Sequence, residues 1–133
     1  MDKAEVLEKI QKDFHFLKVQ KDILGIVVFG SFVSGEFSER SDIDICIIAG
    51  PRIENIDELI DFVFERVYNP RYDIKFFEKL SLRLKIEIIK NHEVVFSRDL
   101  PELYEYFYFY RKIWKDQERR NTLTKEELKQ LLD

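Results

Sequence analysis

Two carboxylates stand one residue apart at the start of an apolar run, and this arrangement constrains the chain more than any other feature. The run Asp42–Ile48 is otherwise apolar and mostly β-branched, which predicts a buried β-strand. Because side chains alternate along a strand, Asp42, Asp44 and Cys46 face one way and the isoleucines between them face the other. Two carboxylates on one face repel each other unless protons or cations intervene. A divalent cation is their natural partner, so this strand is expected to border a site.

A second apolar strand, Ile23–Phe29, ends at a Gly-Ser pair, and a loop rich in small residues then leads to the carboxylates. Gly30 permits a close approach of the backbone. Ser31 adds a hydroxyl group and the backbone N–H groups of a helix start, which suit a phosphate. Since Mg²⁺ is commonly shared between carboxylates and phosphate oxygens, the combined pattern predicts chemistry on a nucleoside triphosphate.

The 133 residues predict one domain with an α/β fold. We expect a small mixed sheet of about four strands flanked by helices over residues 1–133, with a helical C-terminal segment from about residue 99. A capping-box pattern at Thr124 and Glu127 predicts that the last helix is separate from the one before it. Periodicity and turn signals predict, in order, a helix Lys3–Val19, a strand Ile23–Phe29, a helical turn Ser31–Gly35, a strand Asp42–Ile48, a helix Ile53–Val67, a strand Tyr72–Phe77, a helix from Ser81 to Lys90, a strand Glu93–Phe96, a helix from Asp99 to Arg119 and a helix Lys125–Leu132.

Composition narrows the class of protein. The net charge of −4 argues against bulk binding to a nucleic-acid backbone, and no direct nucleic-acid binding is expected. Cys46 is the one cysteine, so an intramolecular disulfide is excluded and a reduced, buried thiol is predicted. The N-terminus lacks the shape of a signal peptide, and the apolar runs are too short to span a bilayer. A cytoplasmic setting without membrane contact is therefore expected.

A Gly-Ser pair at 30–31, followed after ten residues by Asp-Ile-Asp at 42–44, resembles the signature of the polymerase beta-like nucleotidyltransferase superfamily. Gly35 and Ser41 match positions typical of its minimal nucleotidyltransferases. The resemblance implies the polymerase beta-like palm as the fold. It also implies transfer of AMP from ATP, assisted by two Mg²⁺ ions. The residues that it implicates are Asp42, Asp44 and Asp73 as metal ligands and catalytic carboxylates, and Gly30, Ser31 and Ser41 as nucleotide- and phosphate-binding residues.

Some of these assignments have simpler alternatives. Asp73 is expected to be a third ligand or the base that faces the attacking hydroxyl, but it could also be a solvated residue beside Arg71 or Lys75. Lys75 lies on the same face as Asp73 and could contact a phosphate, but it could equally be an exposed lysine at the edge of the sheet. Arg40 could also reach a phosphate, although loop arginines are usually solvated.

The resemblance also implies a partner. Many minimal nucleotidyltransferases are paired with HEPN-domain toxins and act as antitoxins, with adenylylation of a tyrosine of the HEPN ribonuclease. The chain has no evident acceptor-binding domain, so the acceptor hydroxyl is expected to come from a partner. Two alternatives stay open at this point: nucleotidyl transfer to a small molecule, and neutralisation of a toxin by binding alone.

The C-terminal helical segment is unusually aromatic between residues 104 and 110. Helical spacing places Leu103, Phe107, Tyr110 and Trp114 on one face. This band is wider than one buried stripe requires, which would fit a partner surface. The alternative is that the helix simply packs across the small sheet.

Overall fold

The computed structural model describes residues 2–19, 23–38 and 40–132, apart from the side chains of residues 122–124 and 131 within the last helix. It confirms the predicted α/β class, with a mixed sheet and flanking helices. The elements are α1 Lys3–Asp13, β1 Gly25–Phe29, α2 Ser31–Ser34, β2 Ile43–Ile48, α3 Ile56–Arg66, β3 Tyr72–Phe76, α4 Leu82–Lys90, β4 Glu93–Ser97 and α5 Leu100–Leu132.

The four strands of the sheet lie in the order β3-β2-β1-β4. Strand β1 pairs with β2 and with β4 in antiparallel fashion, and β2 pairs with β3 in parallel. The C-terminal end of β1 and the N-terminal ends of β2 and β3 therefore meet at one edge of the sheet.

The alternation predicted for the Asp42–Ile48 run is confirmed for the core positions of β2. Ile43, Ile45 and Ile47 belong to a cluster that also contains apolar residues of α1 and α3. Cys46 and Ile48 belong to a second cluster, built with α4 and α5. The sheet is thus covered on both faces, which explains why β1 and β2 are almost wholly apolar.

Helix starts follow the side chains that can cap them. Asn55 accepts a hydrogen bond from the backbone N–H of Glu58, so α3 begins at Ile56 instead of the predicted Ile53. The predicted cap Ser81 accepts from the N–H of Leu84 and begins α4.

Two predictions about helices were wrong. The first helix does not continue to Val19: α1 ends at Asp13, and His15–Val19 forms a 3₁₀ helix. This tighter turn carries Leu17, which is fully buried in the core.

The predicted break between the last two helices is also absent. Helix α5 runs without interruption for 33 residues, from Leu100 to Leu132. No Gly or Pro stands between Arg119 and Lys125, so a continuous helix keeps every backbone hydrogen bond that a break would lose. The side chain of Thr124, half of the expected capping box, lies outside the described side chains. No helix within the described part of the chain combines the length and the apolar character needed to cross a membrane.

Candidate active site

Three carboxylates lie at the sheet edge where β1, β2 and β3 meet. Asp44 stands directly opposite Phe29 of β1 and directly beside Asp73 of β3. Asp42 lies just before the first residue of β2, on the same edge. The parallel register of β2 and β3 thus brings together residues that are far apart in the sequence, as the resemblance to the nucleotidyltransferases implied.

Burial and charged neighbours act together on the carboxyl group of Asp44. Its partial burial raises the pKa of its carboxyl group above the ordinary value. The Asp73 carboxylate, which is both a charge neighbour and a hydrogen-bond partner, raises this pKa further, and Asp42 adds a smaller effect. The Lys75 ammonium acts in the opposite direction. The edge therefore holds more negative charge than its surroundings neutralise.

Lys75 lies on the same face as Asp73 and pairs with it. Its Nζ atom is 3.6 Å from Asp73 Oδ2, and both side chains are partly exposed. This contact is compatible with both predictions for Lys75, namely that it is an exposed edge lysine or that it contacts a phosphate. Arg40 is exposed in the loop before Asp42, which fits its reading as a solvated loop residue.

Gly30 lets the backbone pass directly beside Asp44. Its φ of +70° lies in the region that favours glycine. A Cβ atom at this position would stand 2.2 Å from Asp44 Oδ2, which is far closer than two such atoms can approach. The next residue, Ser31, begins the short helix α2. The need for glycine at residue 30 is thus tied to the position of the Asp44 carboxylate and not only to a turn.

The loop that joins Gly30 to Asp42 is held by Arg71, a residue for which the sequence predicts no role at the site. The Arg71 guanidinium donates from Nε and Nη2 to the carbonyl oxygen of Ser41, at 3.3 and 3.2 Å. Nη2 also donates to the carbonyl oxygen of Ser38 at 3.3 Å. Its own carbonyl accepts a 2.8 Å bond from the N–H of Ile43. Arg71 therefore ties the loop to the start of β3.

Ser41 takes part in this loop structure through its side chain. Its hydroxyl oxygen accepts a 3.2 Å hydrogen bond from the N–H of Ser38 and lies 3.1 Å from the Ser38 hydroxyl. These contacts give Ser41 a structural role in the loop. Its role toward phosphate stays a prediction, as do those of Gly30 and Ser31.

Among residues 2–19, 23–38 and 40–132, no three His, Cys, Asp or Glu side chains lie together as a set ready to hold a metal ion. The donor chemistry at the edge nevertheless fits Mg²⁺. Asp44 and Asp73 converge closely enough to raise the pKa of Asp44, and a divalent cation would favour the charged forms that this repulsion disfavours. Asp42 and Asp44 are accordingly the residues that would hold it, with Asp73 beside them as a third ligand or as the base.

The cysteine and the two histidines occupy core, packing and surface positions. Cys46 is fully buried, and this burial raises the pKa of its thiol, as expected for a core cysteine. The Nδ1 atom of His92 lies 2.9 Å from the carbonyl oxygen of Ile88, and its ring packs against Phe107. His15 is exposed on the short 3₁₀ helix.

The fold and this edge define a nucleotidyltransferase of the palm type, and sequence comparison agrees. The family described as "Polymerase beta, Nucleotidyltransferase" matches residues 8–100. The chain belongs to this family, which confirms the resemblance seen in the Gly-Ser and Asp-Ile-Asp pattern.

Individual relatives are similar over most of the chain. A protein of Methanocaldococcus jannaschii, named as a candidate protein adenylyltransferase, is 45% identical over 98 residues, which cover 74% of this chain and 75% of that protein.

Among solved structures, the complex of the tri-AMPylated Shewanella oneidensis HEPN toxin with its MNT antitoxin contains a similar chain. The TM-score is 0.61 at 15% identity, with 96% of this chain and 98% of that chain covered. A toxin–antitoxin structure with AMP-PNP matches with a TM-score of 0.60 at 16% identity, over 92% and 97% of the two chains. At these identities the likeness is one of fold.

Proposed function

We propose that this protein transfers AMP from ATP to a tyrosine hydroxyl of a HEPN ribonuclease toxin, and thereby acts as its antitoxin. The observation that carries the proposal is the gathering of Asp42, Asp44 and Asp73 at one sheet edge, with Gly30 packed against Asp44. Membership of the nucleotidyltransferase family supports the reaction class. The name of the archaeal relative and the fold shared with chains of HEPN–MNT complexes support the acceptor and the partner.

In this reaction the acceptor oxygen attacks the α-phosphorus of ATP. A new P–O bond forms to the acceptor, the bond between the α-phosphorus and the bridging oxygen breaks, and pyrophosphate leaves. Asp73 would take the proton of the attacking hydroxyl, because its side chain is 46% exposed at this edge, where an incoming acceptor can reach it. Asp42 and Asp44 would hold Mg²⁺, which would supply charge neutralisation at the phosphate oxygens.

The backbone around Gly30 and Ser31 would receive the phosphates of ATP. Gly30 has no Cβ atom, and the Asp44 carboxylate occupies the place of one, so the backbone at residue 30 lies beside a proposed metal ligand. Arg71 would contribute indirectly. Its hydrogen bonds to the Ser41 carbonyl would keep the loop in position beside the carboxylates.

The experiment is mass spectrometry of a purified HEPN toxin after incubation with this protein, ATP and Mg²⁺. We expect the toxin to gain the mass of one or more AMP groups on tyrosine, and its ribonuclease activity to fall in parallel. Asp42→Asn/Asp44→Asn should abolish both effects. Asp61→Asn, which removes an exposed carboxylate of α3, is the matched control and should leave both unchanged.

Two outcomes would contradict the proposal in different ways. A double variant that still silences the toxin, without an adduct, would indicate neutralisation by binding alone. Release of pyrophosphate in the presence of small hydroxyl compounds, with no adduct on the toxin, would indicate a small-molecule acceptor.

A further inference from the structure

Helix α5 carries one stripe of residues at the alternating three- and four-residue spacing of a coiled-coil seam. The stripe begins inside the protein with Leu103 and Phe107, which are almost fully buried. Tyr110 and Trp114 follow at the same spacing and are half-buried against the same core. In the sequence the spacing then continues through Gln117, Asn121, Thr124, Leu128 and Leu131. We refer to these nine positions as the α5 seam.

The second half of α5 leaves the body of the protein. Every described side chain of 115–121 and of 125–130 is exposed. Leu128, a seam residue, is 54% exposed, and Leu132 beyond it is 86% exposed. This segment lacks the packing of one face from which most helix stability in proteins comes. Because the seam continues along this exposed segment, we expect a second helix to pack against it.

We propose that the projecting half of α5 pairs with the same half of a second copy, as an antiparallel two-stranded coiled coil. The two-fold axis would pass between residues 122 and 123. In this register Leu128 faces Gln117 of the second copy, and Trp114 faces position 131. Asn121 faces position 124, next to the axis. A polar Asn at a seam position commonly selects register and orientation at some cost in stability.

The charged residues that flank the seam favour the antiparallel orientation of the two helices and a second copy of this chain as the partner. In the antiparallel arrangement Glu118 lies beside Lys125 of the second copy, and Arg120 lies beside Glu127 of the second copy. Each contact occurs twice because of the two-fold axis. A parallel pair would instead bring Arg120 beside Lys125 of the second copy, which is repulsive.

This pattern is its own complement under a two-fold rotation, as an isologous dimer requires. A heterologous helix would need no such symmetry in the charges of α5. The inference stands apart from nucleotide transfer, because none of these residues lies at the carboxylate edge, and its test uses no ATP.

The test is sedimentation equilibrium of the full chain. We expect the wild-type protein to be a dimer, and Leu128→Glu to be a monomer. Glu118→Lys and Lys125→Glu should each weaken the dimer by about tenfold or more, since two attractive pairs become repulsive. A 1:1 mixture of these two variants should associate again, because each then meets its opposite charge. Glu126→Lys, on the outer face of the helix, is the charge-matched control and should have no effect.

Several results would overturn the proposal. A wild-type chain that is monomeric at every concentration would do so, as would a Lys125→Glu variant that dimerises more tightly, which is the result for a parallel pair. Failure of the mixture to associate would also count against it. A complex with a different protein that forms from monomers and is lost in Leu128→Glu would assign the seam to that partner instead. Because the charge variants are all at exposed positions, the comparison does not depend on a change in folding.

Discussion

Gly30 lies directly against the carboxylate of Asp44. A Cβ atom at residue 30 would stand 2.2 Å from Asp44 Oδ2, and the φ of Gly30 is +70°. The register of β1 and β2 accounts for this contact: Phe29 is paired with Asp44, so the residue after β1 must pass beside that side chain. Glycine at this position thus leaves room for the carboxylate that the proposed chemistry requires.

Gly30→Ala is therefore expected to reduce AMP transfer by about 100-fold or more, because displacement of Asp44 by even about 1 Å is costly for a positioned catalytic group. Gly35→Ala is the control. Gly35 also has a positive φ, +89°, but a Cβ atom there would meet nothing within 4 Å. Gly35→Ala should lose roughly 1–2 kcal/mol of stability from backbone strain. Gly30→Ala should lose more, because its ψ of −142° lies outside the left-handed helical region and its Cβ atom also meets Asp44. Only Gly30→Ala should lose the activity. Equal losses of activity would mean that strain, and not contact with Asp44, is responsible.

The raised pKa of Asp44 makes stability depend on pH. Burial, followed by the Asp73 carboxylate, raises this pKa above the ordinary 3.8 that applies to the unfolded chain. The Asp44 carboxyl group therefore binds its proton more tightly in the folded state than in the unfolded state. It stabilises the fold below pH 3.8, and this contribution is lost as pH rises through the folded-state pKa. Asp44→Asn should accordingly raise the Tm at neutral pH without Mg²⁺, and its advantage over wild type should shrink on acidification. A variant that is less stable than wild type at neutral pH would contradict this account.

Addition of Mg²⁺ should stabilise the wild type by mass action. At a concentration of about 100 times the Kd, the gain in the free energy of unfolding is about 2.7 kcal/mol. Asp42→Asn and Asp44→Asn should each abolish most of this gain, whereas Asp61→Asn should retain it. Differential scanning fluorimetry with and without Mg²⁺ measures the effect, and an equal shift in all four proteins would place the ion elsewhere.

Much of the fold could be predicted from the sequence because its signals are local. The apolar runs of β1 and β2 and the spacing of Asp42 and Asp44 depend on strand alternation alone, and the carboxylates do lie at one edge. Arg71 could not be found in this way. Its contacts with Ser38 and Ser41 join segments some thirty residues apart, and an arginine beside a turn carries no local signal for such a contact.

The same reasoning explains the error in α5. Thr124 and Glu127 have the spacing of a capping box, but that pattern is also compatible with the interior of a helix. Only the absence of a helix-breaking residue nearby indicated that α5 continues.

Arg71→Lys should reduce kcat/KM by about tenfold while leaving the fold intact. Lysine keeps the positive charge but lacks the planar fork that reaches the carbonyl oxygens of Ser41 and Ser38 together. The loop would then be held less firmly, and the Asp42 end of it would sample unproductive positions. Arg83→Lys, at an exposed position of α4, is the matched control and should retain full activity. Unchanged kinetics in Arg71→Lys would show that charge alone suffices.

Glu78 stabilises the opposite end of β2 and fixes the start of α5. Its carboxylate accepts hydrogen bonds from the N–H groups of Ala49 and Gly50, at 3.0 and 3.1 Å, and from the Tyr106 hydroxyl at 2.8 Å. Burial, together with contacts to Tyr110 and Glu78, raises the pKa of Tyr106. This carboxylate therefore links the sheet to α5 at a distance from the carboxylate edge.

Tyr106→Phe should thus lower the free energy of unfolding by about 1.5–3 kcal/mol, the range for a hydrogen bond to a charged group, without changing the kcat of AMP transfer. The pKa of Tyr106 adds a signature in alkali. Because the folded state favours the neutral phenol, stability from this group is present below pH 10 and lost as pH rises through the folded-state pKa. The alkaline loss of stability should therefore be smaller in Tyr106→Phe than in wild type. Tyr108→Phe, on an exposed ring of the same helix, should leave the urea midpoint and its alkaline dependence unchanged. A destabilisation as large in Tyr108→Phe would mean that the loss comes from helix α5 in general and not from the Glu78 contact.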